Sequence, residues 1–350
     1  MSRLAGSWLA LALATVLFGC SKEGSADGSA EGTSGGERVA VTVPATALEM
    51  MPSGMQLLVH VDANAMRSSG IMGILVNEAR EQDDVDEAAL AAIDYFAAQS
   101  DELLCGIGYE TAGGSPPFAC ILSGRFSGWG IIAELAGMED TTSRDPHGFA
   151  VLDSGNAEEN DPALLVLDER HILAADLGTV DAVVGAMQEP GARASAQPGY
   201  EAIATTVGFG RHPLSVLGLL PDSLREEIAG AAATDQTAAV LAQVAGQLHA
   251  VTASLDIAQN TLLTVALHAT TAESAADLSS LVRLMVQVGA RSAEDAEVRD
   301  LLSNLEVAVE ATRVQLTWSL PTTEFLDWLA GVADKATAET GTAAAAVVGP

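Results

Sequence analysis

The side chains in this sequence that could do chemistry are three cysteines, six histidines and a large excess of carboxylates. His249 and His268 stand in two apolar runs that read as the arms of one hairpin, a placement that could offer a metal two imidazoles. Strand alternation argues against that. His249 shares a side with Val251, Leu255 and Ile257, whereas His268 lies on the side opposite Leu263, Val265 and Leu267. With the apolar faces aligned, the two rings are expected to leave the sheet in opposite directions. His60 alternates with Leu58 and Asp62, so it is read as a half-buried strand residue that could pair with that acid. The sequence contains no H-x-x-x-H or Cys-x-x-Cys pair, and no metal site is expected.

The acidic clusters Asp83-Asp84-Val85-Asp86-Glu87 and Glu158-Glu159-Asn160-Asp161 lack the ligand spacing and glycine of a calcium loop and read as solvated loops. Glu306 and Glu310 face the same side as Arg313 on a late hairpin, where a surface ion pair contributes little. Gly106-Ile107-Gly108 begins like a dinucleotide fingerprint, but Thr111 occupies the third glycine position and a hairpin follows instead of a helix. G-x-S-x-G is absent from the region that reads as folded. The only lysines, Lys22 and Lys335, lie near the two ends, so neither a phosphate loop nor a Schiff base has its lysine. The expectation is a non-enzyme without a cofactor.

Forty-seven acids face sixteen Lys plus Arg, giving a formal charge of −31. Such a surface repels phosphate backbones, and nucleic acid is not an expected partner. A high-GC genome or adaptation to salt would each produce the arginine-for-lysine bias and the acidity. Half the residues are apolar and only 4% aromatic, so Ala, Val and Leu carry the core.

The N-terminus reads as an address. Arg3 precedes a short apolar run, Trp8 to Phe18, which is well under the ~20 residues of a membrane span. Leu17-Phe18-Gly19-Cys20 follows and resembles the lipobox of bacterial lipoproteins. That resemblance covers residues 1–20 only. It implies cleavage of the signal (1–19), a diacylglycerol thioether on Cys20, and anchoring to a membrane through that lipid. Phe18 is an unusual choice at the looser position of the motif. Ser21, with no aspartate after the cysteine, resembles proteins sorted to the outer membrane. Residues 20–38 are rich in Ser, Gly and Glu and read as a flexible tether.

Cys105 and Cys120 lie in two strand-like runs, LLCGIGYE and PPFACILSGRF, joined by a turn-rich segment. A register that sets Cys105 opposite Cys120 would allow a disulfide in an oxidising compartment, whereas a two-residue slip would leave two buried thiols.

The elements that position these groups alternate strand, helix and hairpin. Strands are expected at 55–62, 148–153, 163–177, 212–220, 247–257, 261–269 and 304–320, besides the cysteine hairpin. Helices are expected near 64–80, 86–99, 127–137, 179–187, 222–231, 236–246, from Thr270, and from Pro321. The helix at 179–187 carries the stripe Val180, Val183, Val184, Met187, and the one after Thr270 carries Leu278, Leu281, Val282, Met285. Thr270 and Glu273 have the spacing of a capping box. Phe325, Trp328, Leu329 and Val332 form the final stripe.

The fold class is therefore α+β, a mainly antiparallel sheet with helices packed on one face. An internal pseudo-duplication is expected, with repeats at 39–190 and 200–333 and a loose tail at 334–350. The functional expectation is an envelope lipoprotein acting as a binding or scaffolding module. Its partner would be a protein or a cationic surface. The alternative is a carrier of lipid or another apolar ligand, followed by a hydrolase with dispersed acidic residues.

Overall fold

The computed structural model describes residues 41–81, 94–109, 116–126, 147–152, 163–223, 225–226, 246–258, 260–292, 299 and 302–326. The segments read as export signal, tether and tail, the helix expected at 127–137, most of those expected at 222–231 and 236–246, both acidic clusters, Trp328, Leu329 and Val332 lie outside these residues.

Period-two runs form one antiparallel sheet. In the first half its strands are β1 (Met55–Asp62), β2 (Ser100–Gly108), β3 (Phe118–Gly124), β4 (Ala150–Leu152), β5 (Ala163–Val166) and β6 (His171–Ala175). The second half supplies β7 (Leu214–Leu219), β8 (Leu248–Ile257), β9 (Asn260–Ala269), β10 (Glu306–Glu310) and β11 (Arg313–Pro321). The order across the eleven-stranded sheet is β10-β11-β9-β8-β7-β1-β2-β3-β6-β5-β4. The halves meet where β1 pairs β7, with Val59 opposite Val216. Read outward from that junction, one side runs β1-β2-β3-β6-β5 and the other β7-β8-β9-β11-β10, with β4 an additional edge strand on the first side. A duplicated unit would give this matched order; the duplication itself remains a proposal.

The α+β class and the antiparallel sheet are as expected, while the helices divide between the two faces. On the first face, Leu58, Leu104, Ile121, Leu173 and Leu217 pack with helices α3 (Leu177–Gln188) and α4 (Tyr200–Val207) and with Ala47, Met50 and Met51. Val61, Leu255 and Trp318 point the other way. They pack with α1 (Ala63–Ser69), α2 (Ile71–Glu81) and Phe325. Farther along this second face, Leu278 of α5 (Ala272–Ser292) covers Val314. Leu58 and Val61 are three residues apart in an unbroken register, which places them on opposite sides of the strand.

Local chemistry sets the helix ends. The Asp62 carboxylate accepts from the Ala65 amide at 2.9 Å and starts α1. Gly70, at φ +84°, then breaks the expected single helix 64–80 into α1 and α2. Asp176 caps α3 through Thr179, and the Val180, Val183, Val184, Met187 stripe is buried. The cap of α5 falls one residue later than expected, because the Thr271 hydroxyl, not that of Thr270, accepts from Ser274 N–H.

Residues 189–200, read from sequence as a divide between repeats, are packed structure. Ala194 is buried, Ala194 N–H donates to the Met51 carbonyl at 2.8 Å, and the Gln197 amide donates to the Met55 carbonyl at 3.0 Å. The following helix, α4, was not expected from sequence; it buries Tyr200 and Ile203 against the first face.

Gly106, the glycine that mimicked a cofactor motif, has a packing role. A Cβ there would run into the side chains of Met51 and Met55, which fill the space above β2. Gly106→Val should destabilise the protein by about 1–3 kcal/mol through overpacking. The measurement is denaturant unfolding, with a lower midpoint and an unchanged slope expected.

Candidate functional site

The arms of the β8–β9 hairpin do not alternate throughout. Leu248 pairs with Ala269 and Ala250 with His268, so two residues of β8 advance against one of β9. This is a β-bulge at His249, which turns that side chain to the face its strand parity denies it. His249 and His268 therefore come together, with ring centres 6.0 Å apart and planes at 67°. The expectation that the imidazoles leave opposite sides is overturned. Both strands of the hairpin are ten residues long and neither contains glycine or proline, so the sequence carried no sign of the bulge.

Their surroundings differ from those of the other four histidines, each of which faces a carboxylate. His60 Nε2 lies 3.2 Å from Glu102. His147 meets Asp181 at 2.7 Å, His171 meets Asp168 at 2.9 Å, and His212 meets Asp256 at 3.6 Å. The partner of His60 is thus Glu102 on β2; Asp62 is occupied in capping α1. Among the described residues His249 and His268 have no carboxylate partner. Instead Thr252 Oγ1 sits 3.0 Å from His268 Nε2, in a buried pair. Arg313 is directly opposite His268 on β11 and pairs with Glu310, and Arg225, near His249, pairs with Asp222.

These neighbours fix the charge state. Burial pushes the His268 pKa down to about 4, with the adjacent His249 and Arg313 acting in the same direction. The His249 pKa is also lowered, first by burial and then by Arg225, against a hydrogen bond to the Ala269 backbone that raises it. Both rings are neutral at pH 7, with lone pairs available for a ligand. Elsewhere, burial raises the Tyr200 hydroxyl to about 12, leaving it protonated inside the first-face core.

The cysteine hairpin adopts the bonding register. Cys105 pairs with Cys120 across β2 and β3, and the two are joined by a disulfide at a sequence separation of 15. Its surroundings are apolar: Leu122, Phe126, Val166 and Ile172 pack around it. It is a structural cross-link, and Cys20 lies outside the described residues.

A second surface lies at the outer end of the sheet. Leu278 is buried, but Met285, expected on the same buried stripe, is 56% exposed beside Leu284 at 57% and Val288 at 55%. Between α5 and residues 302–307 runs an open groove of about 450 Å³. Val286, Ala290, Leu302, Leu305 and Val307 line it, with Arg283 and Arg291 also on its walls. The i, i+4, i+8 spacing of Arg283, Gln287 and Arg291 was a legible sign of one polar helix face.

No known protein family and no curated protein matches the chain. Among solved structures, crystal form IV of TP0453 is similar over 83% of this chain and 97% of that one, at 11% identity and a TM-score of 0.49. Crystal form III covers 82% and 99%, with 8% identity and a TM-score of 0.47. Crystal form I covers 83% and 98%, with 10% identity and a TM-score of 0.46.

Two outcomes follow from the buried groups. His268 binds its proton more weakly folded than unfolded, so its contribution is intact above pH 6.5 and is lost as pH falls toward 4. The loss should reach up to about 3 kcal/mol. Unfolding measured from pH 7 to 4 should show this decline, and His268→Gln should flatten it. Replacing Cys105 and Cys120 together by alanine should remove about 3 kcal/mol, the loop-entropy value for fifteen residues, from the unfolding free energy.

Proposed function

We propose that this chain is a lipoprotein of the bacterial envelope, anchored through Cys20, that binds a protein partner with the α5–β10 end of its sheet. The lipobox-like Leu17-Phe18-Gly19-Cys20 supports the anchor. No described helix is long and apolar enough to cross a membrane. A Ser/Gly-rich tether of this length has a root-mean-square span of roughly 25 Å, which would let the folded part stand clear of the lipid surface.

The observation that carries the binding reading is the row of exposed apolar side chains on α5. Leu284, Met285 and Val288 lie within a turn and a half of one helix, and Val309 on edge strand β10 is 42% exposed. A contiguous apolar surface is costly to leave in water and commonly marks a contact. The absence of a catalytic motif makes a binding module the simplest reading of the sequence, and no reaction is proposed.

One observation favours a second reading, a carrier of apolar ligands. The groove beside α5 combines an apolar floor with two arginines, and it would suit an amphiphile with an anionic head. Here the ligand would lie along Val286 and Leu302, not against Leu284 and Val288.

The anchor is tested by fractionation: the native chain should pellet with membranes and Cys20→Ser should be released. A photo-crosslinker at position 288 should trap one protein partner in the envelope, and Leu284→Ser should weaken that capture without lowering stability. A chain that instead carries a reproducible small-molecule adduct in native mass spectrometry, lost in Val286→Trp, would favour the carrier.

A further inference from the structure

We propose that His249 and His268 form a two-imidazole site for a late first-row transition ion, copper or zinc. The argument begins at the β-bulge, which brings the rings together from positions that regular alternation would separate. Each ring centre of a ligating imidazole lies about 3 Å from its metal, a bond of about 2 Å plus the distance into the ring. Two rings on one ion therefore have centres about 5–6 Å apart, and these are separated by 6.0 Å.

The second feature is how each ring is held. The His249 ring is hydrogen-bonded to the Ala269 backbone. On His268, Nε2 is engaged by the Thr252 hydroxyl at 3.0 Å. Each imidazole thus has one nitrogen engaged by a neighbour, which leaves the other as the one that would ligate, and such outer contacts set tautomer and direction in metal sites.

The donor set selects the ion. With two nitrogens and no carboxylate, the site suits copper or zinc and offers nothing to calcium or magnesium. The nearby arginines would repel a cation, but Arg225 is paired with Asp222 and Arg313 with Glu310, so their charges are balanced locally. Solvent would complete the coordination on the half-exposed His249 side.

The test uses the full chain with Cys20→Ser, so that no free thiol competes, and with the Cys105–Cys120 disulfide intact. Cu²⁺ is titrated against a competing chelator and followed by electron paramagnetic resonance. One ion per chain with hyperfine coupling to two imidazole nitrogens is the expected result. His249→Gln should weaken binding at least tenfold, while His147→Gln leaves it unchanged. Thr252→Val, which keeps both ligands and removes only the positioning hydroxyl, should weaken it by a smaller factor. Copper binding of equal strength in His249→Gln, or a spectrum without coupling to two nitrogens, overturns the proposal.

Discussion

The pairing of β1 with β7 holds the molecule together. Residues 57–61 meet residues 214–218 in unbroken antiparallel register, although more than 150 residues of chain separate them. The strands at this junction are buried on the first face through Leu58 and Leu217, and Ser215 is also inaccessible. Without the junction each half would end in an exposed edge of unpaired backbone groups along β1 or β7. With it, the open edges move to the extremities, where β4 is only three residues long and β10 begins and ends with glutamate. Short and charged edges resist pairing with another chain.

The junction also explains why residues 189–200 are ordered. The chain must return from α3 on the first face to place β7 beside β1, and it does so over Met51 and Met55. Backbone hydrogen bonds from Ser53 to Ala192 and from Ala194 to Met51 fasten that return. A segment with the composition of a linker is thereby part of the first-face core, together with Tyr200 and Ile203 of α4. The two faces then diverge in character. The first buries aliphatic residues in one half and carries Thr252 and His268 in the other, whereas the second holds the disulfide and the aromatic pair Trp318 and Phe325.

Much of the architecture was legible because it rests on local rules. Period-two runs gave the hairpins, and the 3.6-residue spacing of Val180, Val183, Val184 and Met187 gave α3 and its buried side. The same rule misplaced Met285, because periodicity identifies an apolar stripe but not whether protein or solvent lies against each part of it. Pro198 and Gly199 ahead of Tyr200–Val207 have the chemistry of a loop, whereas Gly199, at φ +82°, serves as the entry to a short helix.

By itself the sequence determined the α+β class, the antiparallel hairpins and the acidity of the chain. These follow from composition and from contacts close along the chain. Tertiary structure decided which cysteine register was taken, which histidines found carboxylates, and that the helices cover both faces. It also decided the pairing of His249 with His268. A single inserted residue in one strand reverses the side from which a ring emerges, and it does so through hydrogen bonding between strands that no local pattern records.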